Sequence, residues 1–258
     1  MFEWLKKLRQ TANRVAVPAR EPRVGGRNTS AVNLRPYTPE PREYLGQLGY
    51  LHLSYFEILT NELKYSPNTQ YKAELSEAAA RAFEKFRFIS RKLAEAGFDP
   101  TDAMDPYSER IQTFHSNTSG IDWYEAILKI YLVGGLLDDF YRRLAVGLKP
   151  ALRQEIDEAL EDPGFEEFSV KVLLESMEED PTLGSRLAVW GRRLMGDALL
   201  ELRAAFDNRK LAGIAADAKL SLDEERDVNL AAYSKLEPLV TELIGTHTMR
   251  MDALGLTA

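Results

Sequence analysis

Apolar side chains recur every three to four residues along most of the chain, which is the spacing of amphipathic helices. One such stripe begins near Arg42 and predicts a helix over about 42–65, and a second predicts a helix over about 69–96. The turn between them is short and contains Pro67, so we expect the two helices to form an antiparallel hairpin.

A third long helix is predicted over about 121–148, and it is apolar on almost every side, as is typical of a helix in the middle of a protein. Gly134 and Gly135 lie near its centre and lower its helix propensity, so we expect close packing against a neighbour there. Residues 98–120 precede it with a broken pattern and two Asp-Pro pairs, which predicts a crossover connection that runs the length of a bundle.

The C-terminal part of the chain continues the helical pattern, and no stretch predicts a strand. Four further helices are predicted over about 151–161, 164–178, 181–208 and 222–253. An antiparallel pair, a long crossover and a second set of helices is the order of a ferritin-like four-helix bundle. We therefore expect an all-α domain over 42–258, with additional C-terminal helices beside the bundle.

Residues 1–41 have a different composition. They begin with a short amphipathic segment and continue with a stretch rich in Pro, Gly and Arg, which predicts a basic, partly disordered arm. The arm has eight Lys or Arg against three Glu, a net charge of +5, and because the whole chain carries −7, the rest carries −12. An acidic body argues against nucleic-acid binding over its whole surface, whereas Lys6, Lys7 and Arg9 could contact nucleic-acid phosphates or an anionic membrane.

The chain has no cysteine, which excludes disulfides, thiolate metal sites and a cysteine nucleophile, and which favours a reducing cytoplasm. No apolar run is long enough to span a membrane. The glycine-rich phosphate-binding motifs and the serine nucleophile elbow are also absent from the sequence.

Metal chemistry of the bundle type requires a specific spacing. A di-iron carboxylate site takes a Glu from each of two helices and a Glu-x-x-His from each of the other two, because residues i and i+3 share one face. The chain has three histidines, and the residues three positions before them are glycine, glutamine and isoleucine. The chain therefore has no Glu-x-x-His motif.

Five stretches nevertheless carry a resemblance to a known family: YFEILT at 55–60, FHSNTSGIDWYEAILKIY at 114–131, DDFYRRLA at 138–145, LAVWGRRLMGDAL at 187–199 and HTMRMDALGL at 247–256. Together they are similar to the actinobacterial ferritin-like proteins related to the tRNA hydroxylase that oxidises the isopentenyl group of 2-methylthio-isopentenyl-adenosine. The resemblance covers residues 44–256. It implies a ferritin-like fold, two irons that activate O2, and tRNA as the partner.

The resemblance also implies a set of acidic metal ligands. The candidates are Glu57, Glu125, Asp139 and Asp197. On the helix over 69–96, the Glu-x-x-His of the family corresponds to Ala82 and Lys85, which depart from the metal-ligand pattern. Ala82 lies on the apolar stripe, and Lys85 places a cation where a metal needs a neutral nitrogen donor. The di-iron site is therefore expected to be degenerate.

A lysine ammonium can replace a lost metal cation by pairing with buried carboxylates, and we expect Lys85 to pair with Glu57 or Glu125. In a straight helix, Glu125 and Asp139 lie on nearly the same face but roughly 21 Å apart. The Asp138-Asp139 pair is therefore expected to form local ion pairs with the arginines that follow it, or a separate polar contact.

Three functions are open from the sequence. The first is a di-iron monooxygenase of the tRNA-hydroxylase type, with the basic arm holding RNA phosphates. The second is a non-catalytic helical interaction or scaffold protein, either a homodimer or a partner of the membrane surface, whose metal site has decayed. The third is a small-molecule binder that uses the former metal cavity.

Overall fold

Nine α-helices make up most of the residues that the structure describes, and no strand occurs among those residues. The structure is a computed structural model in which residues 33–206, 214 and 219–257 are described. They belong to one unit, residues 31–258. The all-α class is confirmed, whereas the expected arm contacts at Lys6, Lys7 and Arg9 lie outside the described residues. None of the helices in the described ranges is long and apolar enough to cross a membrane.

The helices follow the predicted order. Their bounds are α1 (Pro41–Glu62), α2 (Thr69–Glu95), α3 (Pro100–Asn117), α4 (Trp123–Lys129), α5 (Gly135–Leu144), α6 (Pro150–Leu160), α7 (Pro163–Glu179), α8 (Pro181–Ala204) and α9 (Leu222–Ala253). A π segment (Ile130–Gly134) joins α4 to α5, so that these three pieces form one continuous helix. This helix packs against α1, α7, α8 and α9, which explains why it is apolar on nearly every side.

The predicted crossover connection is wrong in one respect, because most of it forms helix α3. Asp99 caps its first turn by accepting a hydrogen bond from the Asp102 N–H at 3.0 Å, and Pro100 occupies the first position, where no N–H is needed. Pro106 lies inside the helix and cannot donate to the Asp102 carbonyl. Arg42 Nη2 donates to that carbonyl at 2.9 Å instead, so a contact from α1 replaces the missing helical bond.

Helix α1 packs along both α2 and α3, and glycines bring α1 and α3 close together. A Cβ on Gly46 would lie only 2.1 Å from the Ala103 carbonyl oxygen, and a Cβ on Gly49 would lie 2.5 Å from the Met104 side chain. Gly46 therefore lets the two backbones approach to a distance that a side chain would prevent, whereas at Gly49 the end of the flexible Met104 side chain would have to move.

The π segment changes which residues before and after it lie on the same face of the long helix. In a π turn each N–H bonds to a carbonyl five residues back, so the turn contains more residues than an α turn. The expectation that Glu125 and Asp139 share a face assumed a straight α-helix and is wrong for this reason. The close packing expected at the two glycines is confirmed at Gly135, where a Cβ would lie 2.7 Å from the Arg250 guanidinium.

We expect Gly46→Ala to lower the free energy of unfolding by about 2 kcal/mol, because the new methyl group overlaps a backbone oxygen that cannot move aside. The matched control is Gly196→Ala in α8, where a Cβ meets no atom within 4 Å. That change should raise the free energy of unfolding by about 0.5–1 kcal/mol through helix propensity. Urea denaturation followed by circular dichroism measures both, and equal effects of the two substitutions would contradict the close α1–α3 approach.

Candidate functional site

A cavity of about 320 Å³ lies between α1, α2 and the helix that contains the π segment. The turn between α6 and α7 lines another side, and Arg250 of α9 lies at its edge. One part of the lining is apolar and consists of Leu59, Ala78, Ala82, Ile130, Leu160 and Phe165. The other part is polar and charged. We call this space the bundle cavity.

Asp138 lies at the centre of the polar and charged side chains that line the bundle cavity. It lies on α5, one turn beyond the π segment, and three helices meet at its carboxylate. Its Oδ2 lies 3.8 Å from Lys85 Nζ on α2, and its Oδ1 lies 3.4 Å from His52 Nε2 on α1. All three side chains are buried or nearly so. This is a charged group at the centre of a helical bundle.

Lys85 extends the cluster to the turn between α6 and α7. Its Nζ lies 3.4 Å from Asp162 Oδ2 and donates a hydrogen bond to the Leu160 carbonyl at 3.3 Å. Asp162 is itself fixed, because its Oδ1 caps α7 by accepting from the Phe165 N–H at 3.0 Å and also accepts from Arg81 Nε at 2.8 Å. One lysine therefore balances two carboxylates that come from different elements.

Burial sets the protonation of the three central groups. It raises the pKa of Asp138 to about 6, although the charge of Lys85 opposes this shift. Burial also lowers the pKa of His52 well below its usual value, and Lys85 lowers it further. His52 is therefore neutral near pH 7, and its contact with Asp138 is not an ion pair.

Several buried polar atoms around this cluster have no hydrogen-bond partner. They include both ring nitrogens of His52, the Tyr55 hydroxyl, Asp138 Oδ1, Arg142 Nε and Arg250 Nη1. Burial raises the pKa of Tyr55 well above its usual value, so this hydroxyl keeps its proton. A buried polar group without a partner costs about 1–3 kcal/mol. Two of these atoms, His52 Nε2 and Asp138 Oδ1, lie 3.4 Å apart without forming a hydrogen bond. The bundle cavity therefore gathers donors and acceptors that the described residues do not satisfy.

A second ion pair closes the edge of the cavity. Arg250 Nη2 lies 2.8 Å from Asp139 Oδ2, and Arg142 Nη1 lies 3.9 Å from the other oxygen of the same carboxylate. The guanidinium of Arg250 passes over Gly135, which has no side chain to obstruct it. Among the described side chains, Asp138 thus pairs with Lys85 and Asp139 pairs with Arg250 and Arg142, although the charges of both arginines also act on Asp138.

The structure does not bring the four predicted metal ligands together. Glu125 is buried at the start of α4, where it accepts a 2.8 Å hydrogen bond from Arg186 Nη1 and a 2.9 Å hydrogen bond from the Ile121 N–H. Glu57 is exposed on α1, and Asp197 lies on α8 with its Oδ2 3.9 Å from Arg193. Within the described ranges, no group of three or more His, Asp or Glu side chains could hold a metal ion.

Lys85 of α2 was expected to pair with buried carboxylates, and it does, but the carboxylates are not the two that were predicted. Ala82 lines the apolar part of the bundle cavity, and Lys85 pairs with buried carboxylates. These carboxylates are Asp138 and Asp162, however, and not Glu57 or Glu125. The reason is the position along the bundle, because Lys85 lies level with α5, whereas Glu125 lies at the opposite end of the long helix.

Three residues of the site, His52, Tyr55 and Asp162, were not predicted from the sequence, and Asp138 was expected only to form local ion pairs or a separate polar contact. The spacing of His52 and Tyr55 was one available signal, since i and i+3 place both on one face of α1. Their rings pack edge to face at 5.5 Å. The proximity of Asp162 to Lys85 had no sequence signal, because it depends on how the turn between α6 and α7 folds back over α2.

The donor set does not fit a di-iron centre. Such a centre needs carboxylates and imidazoles that converge from four helices. In the bundle cavity α2 contributes Ala82 and Lys85, and α9 contributes Arg250. The ammonium group 3.8 Å from Asp138 supplies a fixed positive charge where a metal would need electron-pair donors.

Comparison with protein families places the chain among ferritin-like domains. A family model described as a ferritin-like domain of actinomycetes matches residues 37–217, more than half of the chain. None of the curated proteins matches the chain. The match confirms the ferritin-like fold expected from the order of helices. The matched residues include α1 to α8, whereas α9 with Arg250 lies beyond them.

We expect the protein to show a pH dependence of stability that Asp138→Asn removes. The folded pKa of Asp138 is about 6, above the value of about 3.9 for an aspartate in an unfolded chain. The folded state therefore holds this proton more tightly, and the free energy of unfolding falls as the pH rises through this window.

Urea denaturation of both proteins at several pH values from 4 to 7 measures this effect. The difference in free energy of unfolding between wild type and Asp138→Asn should shift by about 2 kcal/mol in favour of the variant as the pH rises from 4 to 6. A difference that stays constant over this range would show that Asp138 is not buried in the way described.

Proposed function

Because the chain belongs to the actinomycete family of ferritin-like domains, we propose that its bundle cavity binds a small organic molecule and works without a di-iron centre. Helical bundles place their ligand, cofactor and metal sites between facing helices, and the bundle cavity has this location. The observation that carries the proposal is the set of unpartnered buried polar atoms around the Lys85–Asp138 ion pair.

The charges of the bundle cavity favour a neutral ligand. Three of its carboxylates lie within ion-pairing distance of cations, Asp138 and Asp162 with Lys85, and Asp139 with Arg250. A charged ligand would compete with these pairs, whereas a neutral one can use the remaining atoms. We therefore expect the ligand of the bundle cavity to have no net charge.

The unpartnered atoms define the polar end of the ligand. The Tyr55 hydroxyl and neutral His52 can each donate and accept a hydrogen bond, and Asp138 Oδ1 can accept one. The apolar lining around Ala82 and Leu59 suits a hydrocarbon portion. A volume of about 320 Å³ is at the lower end for ligand pockets. We infer a small amphipathic molecule with donors and acceptors at one end.

The second candidate is the tRNA hydroxylase activity that the sequence motifs suggest, with two irons and oxidation of isopentenyl-adenosine. It requires Glu57, Glu125, Asp139 and Asp197 as ligands, and these carboxylates lie at separate places in the described part of the chain. We therefore favour metal-free ligand binding. The resemblance still suggests a first probe, because N6-isopentenyladenine combines an apolar chain with a purine edge of donors and acceptors.

A scaffold role, as a homodimer or through arm contacts with a membrane or tRNA, depends largely on residues outside those described. It is compatible with a ligand in the bundle cavity, which could then regulate such contacts. A chain without cysteine suits the reducing cytoplasm, where we propose that the protein acts.

We expect N6-isopentenyladenine, or another neutral member of a nucleobase and heteroaromatic amine set, to bind in ligand-observed NMR. The test uses two variants of α2. Ala82→Phe fills the bundle cavity, and Ala80→Phe places the same ring on the exposed face. Binding should persist in Ala80→Phe and weaken at least tenfold in Ala82→Phe, because the new ring takes the place of the ligand.

Tyr55→Phe removes only the unpartnered hydroxyl and should weaken binding about 3- to 10-fold, the equivalent of one hydrogen bond. Equal binding to Ala82→Phe and wild type would place the ligand elsewhere. Absence of binding by every member of the set would remove the support for this function.

Elemental analysis of protein from iron-supplemented medium separates the two candidate functions. We expect far less than one iron per chain, with no change in the Glu57→Ala, Glu125→Ala double variant, because neither glutamate lies in a converging ligand set. About two irons per chain, lost in the double variant, would instead support the di-iron hydroxylase.

A further inference from the structure

A second cavity, of about 430 Å³, lies between α1, the C-terminal end of α3 and α4. Lys129 and His115 line it and are buried, at 3% and 8% exposure, whereas Glu57 is exposed and Glu62 is half-buried. We call this space the lysine cavity. It is separate from the bundle cavity, since no residue lines both.

Lys129 is a buried amine without a countercharge. Its Nζ donates one hydrogen bond, to the His115 carbonyl at 3.0 Å, and it takes part in no ion pair with any described carboxylate. A buried ammonium without a countercharge costs free energy, and burial accordingly lowers the pKa of Lys129 to about 8. Lys129 is the last residue of α4 before the π segment, so its backbone is part of the continuous long helix.

The nearest titratable neighbour does not supply a negative charge. Burial, together with the charge of Lys129, lowers the pKa of His115 to about 3, so the ring is neutral near pH 7. Neither ring nitrogen of His115 has a hydrogen-bond partner among the described residues. The lysine cavity therefore combines a desolvated amine with a neutral imidazole, and neither supplies a negative charge.

We propose that Lys129 captures a small neutral carbonyl compound as a Schiff base in the lysine cavity. The neutral amine nitrogen attacks the carbonyl carbon, a C–N bond forms, and the carbonyl C–O bond breaks as the oxygen leaves as water with the two amine protons. The product has a C=N bond, and no oxidant or reductant takes part. A desolvated lysine is the nucleophile that such chemistry needs.

The charges around Lys129 favour a carbonyl compound over an anion. An anion would have to pass Glu57 and Glu62, both of which line the lysine cavity. A neutral aldehyde meets no such repulsion. Schiff-base formation also replaces a buried ammonium by a neutral imine, which removes the free-energy cost of the buried charge.

Reductive trapping of the full-length protein tests the proposal. Benzaldehyde and sodium cyanoborohydride are added near neutral pH, and peptide mapping by mass spectrometry gives the rate of benzylation at each lysine. Lys72, exposed on α2, is the reference. An amine with a pKa of about 8 has far more of its neutral form than an ordinary lysine, so Lys129 should react at least about tenfold faster than Lys72.

Three controls make the result specific. Lys129→Arg should abolish the fast benzylation and leave the benzylation rates of the other lysines unchanged. Lys72→Arg should leave the fast benzylation of Lys129 unchanged. In urea-unfolded protein the two lysines should react at equal rates. If Lys129 in the folded wild type reacts no faster than Lys72, the proposal is overturned, and this comparison decides even if Lys129→Arg does not fold.

Discussion

The ion pair between Lys85 and Asp138 is the interaction on which the centre of the bundle depends. A carboxylate buried among packed helices is costly unless a cation lies close to it, and removal of one partner leaves the other charge uncompensated. Lys85 offsets Asp138 and Asp162 together, at 3.8 and 3.4 Å, and so joins α2 to α5 and to the turn before α7. The bundle cavity lies beside these charges.

A cation attached to the chain has different consequences from a bound metal ion. Carboxylates that serve as metal ligands repel each other when no ion is bound, so the stability of the fold depends on the concentration of free metal. Here the positive charge is part of the sequence and present as soon as the chain folds. Lys85 therefore balances the carboxylates of the bundle cavity without a bound ion, which agrees with the proposal that the cavity binds an organic molecule.

The helices could be predicted well from the sequence, and the site only in part. Periodic stripes fixed α1, α2, α8 and α9, because helix period depends on local sequence. Helix α3 was missed since its two prolines suggested irregular structure, and the Arg42 contact that tolerates Pro106 comes from elsewhere in the fold. The role of Asp138 depended on the π segment, which rotates α5 relative to α4. Lys85 was recognised as unusual, but its partners depended on tertiary packing.

Arg250 contributes to the bundle cavity from a segment that lies outside the family match. The ferritin-like domain match ends at residue 217, yet this arginine of α9 forms the edge of the bundle cavity through Asp139 and the gap above Gly135. The body of the cavity and its edge thus come from two segments of the chain, of which only the first lies within the family match. Exchange of the C-terminal segment alone would give a new entrance to an unchanged interior, a route by which one scaffold can acquire new ligand preferences without disturbing its core.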